Sequence, residues 1–130
     1  MSTLEATKAE ATKKVANRLV ELCRQGKNAD AVKELYAENI VSVEPKGARA
    51  ERTEGKTAVL AKSTQWQEMI EKVHSSATSD PIVTDNFFSC VMEMDVTLKG
   101  MGRMPMNEIA VYEVKDGKIV FEQFFFNVPH

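Results

Sequence analysis

Glu108 is the side chain best placed to do chemistry. The strand pairing predicted below sets it with Tyr112 and Gln123 among Ala110, Phe121 and Phe125. A carboxyl in such a low-dielectric setting holds its proton to higher pH, which is what a general acid or base near neutrality needs. The structural alternative is a glutamate satisfied by Tyr112, Gln123 or backbone donors. Glu44, on the first predicted strand, is a second carboxylate; at a strand end, solvation is its commoner fate. Trp66 can offer one indole N–H to a ligand, although a lone tryptophan more often belongs to a core. His74 could move protons near pH 7. Just past a predicted helix, its cation would equally suit the helix dipole. Met69, Met92 and Met94 would make a soft, adaptable lining, and core gap-filling is their usual role.

Other chemistries lack their parts. With two histidines, one of them the terminal His130, and two cysteines distant in sequence, a metal centre is not expected. No phosphate-cradling glycine loop, dinucleotide fingerprint or nucleophile elbow occurs, so no cofactor is expected. Cys23 and Cys90 lie in apolar patterns and read as buried thiols of a reducing, cytoplasmic setting.

The element that must position Glu108 is a C-terminal hairpin. Apolar, β-branched and aromatic runs flank Asp116 and Gly117, which tolerate the positive φ of a type I′ turn. A two-residue loop predicts Lys115 facing Lys118, Val114 facing Ile119, Tyr112 facing Phe121, Ala110 facing Gln123 and Glu108 facing Phe125; a three-residue loop with a bulge at Gly117 would exchange the partners and the aromatics that share a face with Glu108. Asn107, Ile109, Val111, Glu113, Val120, Glu122, Phe124 and Phe126 then share the other face. Both faces are rich in apolar side chains, so one should pack on helices and the other on a second copy of the chain or another layer. Ile109, Val111, Val120, Phe124 and Phe126 are the expected dimer contacts.

Upstream, the Ser2/Glu5 and Thr7/Glu10 spacings suggest a helix start within the first ten residues. Ala11, Val15, Leu19, Leu22 and Cys23 form its apolar stripe, and Gly26 ends it. Asp30 can cap a second helix that carries Ala31, Leu35 and Tyr36 inward and ends near Asn39. The strand NIVSVEP follows, with Ile40, Ser42 and Glu44 on one face. Lys46 to Lys56 has the composition of a solvated loop or pocket rim. Val59, Lys62, Trp66, Met69, Ile70 and Val73 then recur at helical spacing, with Thr57 as a possible cap. A turn-rich Ser75 to Asp80 leads to a short strand at Ile82 and Val83. The clearest alternation is Phe88, Cys90, Met92, Met94, Val96 and Leu98 on one face against Ser89, Glu93, Asp95 and Thr97 on the other. Gly100, Gly102 and Pro105 mark the return to the hairpin.

The bounds are those of one domain, 1–130: 130 residues suffice for one real core and are too few for two. A net charge of −2 gives no footprint for nucleic acid or an anionic membrane. No run reaches the roughly 18 apolar residues of a membrane span, and the first residues lack the apolar core of a signal peptide. Helices followed by a run of strands make an α+β plan, with helices on one face of a curved antiparallel sheet.

That order, with LYAENIVSVEP (Leu35 to Pro45), EGKTAV (Glu54 to Val59) and YEVKDGKIVFEQFFFN (Tyr112 to Asn127), resembles the SnoaL-like branch of the nuclear transport factor 2-like superfamily. The resemblance implies a cystatin-like cone, in which a bent sheet wraps helices around an apolar cavity, and a homodimer through the outer sheet face. The expected walls are Trp66, Met69, Tyr112 and Phe121, with Met92 or Met94 at the floor. The family holds ketosteroid isomerases, polyketide cyclases, epoxide hydrolases and dehydratases as well as proteins without known chemistry, so fold does not decide function. Many relatives close the last strand with an aspartate where this chain has Asn127, and the cyclases' aspartate and histidine pair has no counterpart here. Two readings stand open. One is a protein that binds a small apolar molecule; the other is a cofactor-free isomerase, cyclase, dehydratase or hydrolase using a pocket carboxylate. With one carboxylate and no evident acid/base partner, binding is the favoured reading.

Overall fold

A computed structural model describes residues 3–128. Helix α1 (Thr3–Arg24) is closed by a glycine in the left-handed region, Gly26 at φ +73°. Lys27 N–H bonds back to the Leu22 carbonyl and Gly26 N–H to that of Cys23, so the final turn's carbonyls find donors. Thr7 lies within α1 and is not its cap; Ser2 falls outside the described residues. Helix α2 (Asn28–Leu35) is shorter than expected, because Tyr36 already belongs to strand β1 (Tyr36–Val43). Asp30 sits in its first turn, and the cap position is Lys27, without a side-chain bond. The charged loop after β1 holds a short strand, β2 (Arg52–Glu54).

Helix α3 (Lys56–Met69) starts after Gly55 at φ +93°, with no side-chain cap from Thr57. It stops sooner than the periodicity suggests. Ile70 and Val73 continue the helical stripe, yet they open strand β3 (Ile70–Thr78), whose backbone pairs with β5 from Ile70 opposite Leu98 to Thr78 opposite Met92. Strand pairing overrides the helical pattern here, so the expected turn at Ser75 is strand. The rest is β4 (Ile82–Thr84), β5 (Phe87–Leu98), β6 (Gly102–Lys115) and β7 (Lys118–Phe125). Pro105 lies within β6, not in the turn. β7 pairs with β6 only from Ile109 onward, so a proline is tolerated on that uncovered stretch.

The strand order is β2-β1-β7-β6-β5-β3, with β4 also on β5. All neighbours are antiparallel except β1 and β7, a parallel pair that a purely antiparallel plan does not contain. The sheet is curled and unclosed, with the helices packed against its concave face. Val15, Leu19 and Val20 of α1, Val32 and Leu35 of α2 and Val59 of α3 meet Ile40, Phe88, Tyr112 and Ile119 of the sheet in one core. The β5 alternation holds: Phe88, Cys90, Val96 and Leu98 are buried on the concave side, whereas Met92 and Met94 are half-buried.

Candidate functional site

Residue 120 decides what shares a face with Glu108. Asp116 (φ +52°) and Gly117 (φ +76°) make the expected two-residue turn, and Lys115 faces Lys118 and Val114 faces Ile119. Glu113 then faces Phe121, which leaves Val120 without a partner. Past this bulge each pairing moves by one: Tyr112 with Glu122, Val111 with Gln123, Ala110 with Phe124, Ile109 with Phe125. A bulge bends its strand and adds twist, as a curled sheet requires. Because side chains alternate, one extra residue exchanges the faces. Phe121, Gln123 and Phe125, expected beside Glu108, therefore lie on the convex face. Glu122 and Phe124, expected outside, lie within.

A polar cluster results on the concave face. Glu122 is 2% exposed and accepts a hydrogen bond from the Tyr36 hydroxyl. It stands opposite Ser42 across the parallel β1–β7 pair. Lys62, on the α3 stripe with Val59, donates to Ser42 Oγ at 2.8 Å and to Glu44 Oε2 at 2.9 Å, and its Nζ lies 5.8 Å from the centre of the Phe124 ring. Glu108 is half-buried opposite Met92. Among the described residues nothing donates a hydrogen bond to it.

The charges follow from this packing. Burial pushes the Glu108 carboxyl up to about 7, with repulsion from Glu44 and Glu122 adding and Lys62 opposing. Glu122 is also raised, burial outweighing the hydrogen bonds from Tyr36 and Ser42 and the attraction of Lys62. Three carboxyls around one ammonium cannot all ionise cheaply, so protons stay in the cluster. Burial also lifts the Tyr36 and Tyr112 hydroxyls well above their usual range. The free thiols of Cys23 and Cys90 are pushed by burial to about 12 and about 11, which leaves them protonated and unreactive at neutral pH.

The remaining sequence candidates divide. Glu44 and Met92 join Glu108 on the concave side. Trp66 and Met69 are half-buried on the α3 stripe, one and two turns beyond Lys62, and Arg49 of the preceding loop donates to the Met69 sulfur. Tyr112 is 1% exposed, stacked on Phe88 at 4.6 Å and edge-on to Phe124, so it is core and not a cavity wall. Phe121, on the convex face, is not a wall either. His74 is on β3 and not at a helix end; its Nε2 is 2.7 Å from Thr97 Oγ1, apart from the carboxyl cluster. Two recesses lie elsewhere, between α1 and the β4 edge, one bounded by Ala9, Lys13 and Val83, the other by Val20, Arg24 and Pro81.

Sequence reasoning overlooked Glu122, Lys62, Tyr36 and Ser42 as site residues. Two of them left a signal. Lys62 is a charge at a core-facing helical position, and Ser42 lies between Ile40 and Glu44 on the inward side of its strand. Among the described residues no three His, Cys, Asp or Glu side chains converge as metal ligands. No described helix is long and apolar enough to cross a membrane. What the cluster can do is hold or release a proton near neutral pH, beside a fixed cation and a soft methionine surface.

Residues 10–126 match the SnoaL-like domain model. A candidate SnoaL-like polyketide cyclase from Mesorhizobium loti is 36% identical, superposes with a TM-score of 0.80, and is aligned over 87% of this chain and 97% of its own. Bal32a, from a soil-derived mobile gene cassette, shares 18% identity over 92% of this chain and 91% of its own, with a TM-score of 0.76. A Catenulispora acidiphila protein with a ketosteroid isomerase-like fold, solved with trimethylamine, shares 15% identity over 88% and 85% of the two chains at a TM-score of 0.70. These last two similarities speak to fold alone. No curated protein matches the chain.

Proposed function

Because the chain belongs to the SnoaL-like domain family, we propose that it binds a small, largely apolar molecule against the concave face of its sheet and that Glu108 exchanges a proton with that molecule. One observation carries the reading. Glu108 is a half-buried carboxyl with no hydrogen-bond donor among the described residues, held protonated to about 7 by burial and by Glu44 and Glu122. Glu122, by contrast, has the Tyr36 hydroxyl to satisfy it. Met92, Met94, Phe124 and Trp66 supply the apolar surface expected of a small-ligand site. Proton transfer of this kind needs no cofactor.

Binding without chemistry is the second reading. It is favoured by the way Glu122 is tied to Tyr36, which leaves one free acid/base group instead of a pair. A fragment screen by thermal shift, followed by solvent-deuterium exchange into the C–H groups of each hit, separates the two. Proton transfer predicts exchange in the wild type and its loss in Glu108→Gln with binding retained. Hits that never exchange would leave a binding protein.

The convex face supports a homodimer. Phe87, Val91, Ile109 and Phe125 are exposed there, the last two at 49% each. They form an apolar patch of the kind that partners cover. Phe124, expected in this contact, faces inward and takes no part. Two free thiols suit a reducing compartment, and the cytoplasm is the setting we assign.

A further inference from the structure

Four of the seven methionines lie on two neighbouring strands and leave the same face of the sheet. Met94 of β5 faces Met106 of β6; in the rows on either side, Met92 faces Glu108 and Val96 faces Met104. Directly opposed side chains share a face, so all four thioethers stand on the concave side. Burial agrees: Met92, Met94, Met104 and Met106 are half-buried, whereas Glu93, Arg103, Pro105 and Asn107, which alternate with them, are exposed on the other face.

Core filling does not account for this set. The fillers beside it, Val96 and Leu98, are enclosed, while the four sulfurs gather where a small solute can reach them. The sheet sets opposed Cβ atoms about 5 Å apart and diagonal ones about 7–8 Å apart. Three rotatable bonds in each unbranched side chain then let the sulfurs close on a common point. Thioether sulfur is a soft, neutral donor, which selects a soft monovalent ion over hard divalent ones. Among the described residues no set of three carboxylate, imidazole or thiol groups competes with it. The charges of the concave face, Glu44, Glu108 and Glu122 against Lys62, also suit a cation. We infer that Met94 and Met106, with Met92 and Met104 beside them, form a binding site for a soft monovalent metal ion, Cu(I) being the one that a reducing compartment supplies. Glu108 borders this site without belonging to it, so the inference stands apart from the proton-transfer reading.

The probe is Ag(I), a redox-inert surrogate of Cu(I), added in chloride-free buffer and in excess over the two thiols to protein with isotope-labelled methionine methyls. Met101, 61% exposed on the turn between β5 and β6, is the internal control. The expected NMR result is a saturable shift of the Met94 and Met106 methyls while Met101 stays in place. Met94→Leu and Met106→Leu, which keep the side-chain volume, assign the two signals; in Met94→Leu the Met106 methyl should stop responding, because its partner sulfur is gone. Anaerobic competition with a bicinchoninate chelator should show Cu(I) held by the wild type and released by Met94→Leu/Met106→Leu. Equal shifts at Met101 and the strand methionines would mean unselective thioether binding, and unmoved strand methyls would mean that the thiols take the silver; either overturns the inference. Glu108→Gln should keep the silver shift, and its loss there would make the carboxyl the ligand and overturn the thioether site. Should Glu108→Gln also keep full solvent exchange while the silver shift holds, the proton-transfer reading fails and the metal site stands.

Discussion

Replacing Glu108 by glutamine should stabilise the protein increasingly as pH rises above about 4.5, with the full effect reached above about pH 7. Burial pushes the folded-state carboxyl up to about 7 from its ordinary value of 4.5. At about 1.4 kcal/mol per unit, that rise corresponds to about 3 kcal/mol between the protonated and ionised forms. For a carboxyl whose folded value is raised, the contribution is fully present below the unfolded value and is lost as pH rises through the folded one. Wild-type stability should therefore fall between about pH 4.5 and pH 7 through this group. Glutamine keeps the shape and has no charge to bury. Urea unfolding should give equal stabilities near pH 4.5, within roughly 0.5 kcal/mol. At pH 8 the variant should be ahead by about 3 kcal/mol. A variant equal to or weaker than wild type at pH 8 would mean that the Glu108 carboxylate is well solvated or well paired and not destabilised by burial.

Two further outcomes follow from the same packing. Tyr36→Phe removes the hydroxyl that donates to buried Glu122 and should cost about 1.5–3 kcal/mol in urea unfolding; a loss below about 0.5 kcal/mol would mean that Glu122 is satisfied without it. Phe125→Glu places a charge on the convex apolar face and should convert a dimer to monomer by sedimentation at micromolar concentration, whereas Phe124→Glu, directed into the concave face, should unfold the chain instead.

The parts of the fold that local chemistry dictates were legible in the chain. Gly26 and the Asp116–Gly117 pair each mark a backbone that must enter the left-handed region, and both turns occur where they stand. The β5 alternation names its buried face. Long-range pairing was not legible. Ile70 and Val73 fit a helical stripe and a strand equally well, and only the β5 partner decides between them. The run Phe124, Phe125 and Phe126 has no alternation to reveal register. Skipping Val120 or pairing it both leave apolar side chains on each face. The neighbour that distinguishes them is β1, which sets Val41 beside Phe121 and Ser42 beside Glu122 from some 80 residues away in sequence. That single unpaired residue carried Glu122 into the site and Gln123 out of it. Glu108 was identifiable because its own strand alternates cleanly. Lys62 was readable only as a charge on an apolar stripe, without a partner to give it a role.

The proposed function requires that Glu108 carry a proton that a bound molecule can take up or supply near neutral pH. Carbon-detected NMR of the glutamate side-chain carboxyls, assigned by comparison with Glu108→Gln, measures this directly. The expected Glu108 midpoint is near 7, moving higher in Lys62→Met as the one opposing cation is removed. A midpoint at or below about 4.3, the value of an unperturbed glutamate, would contradict it.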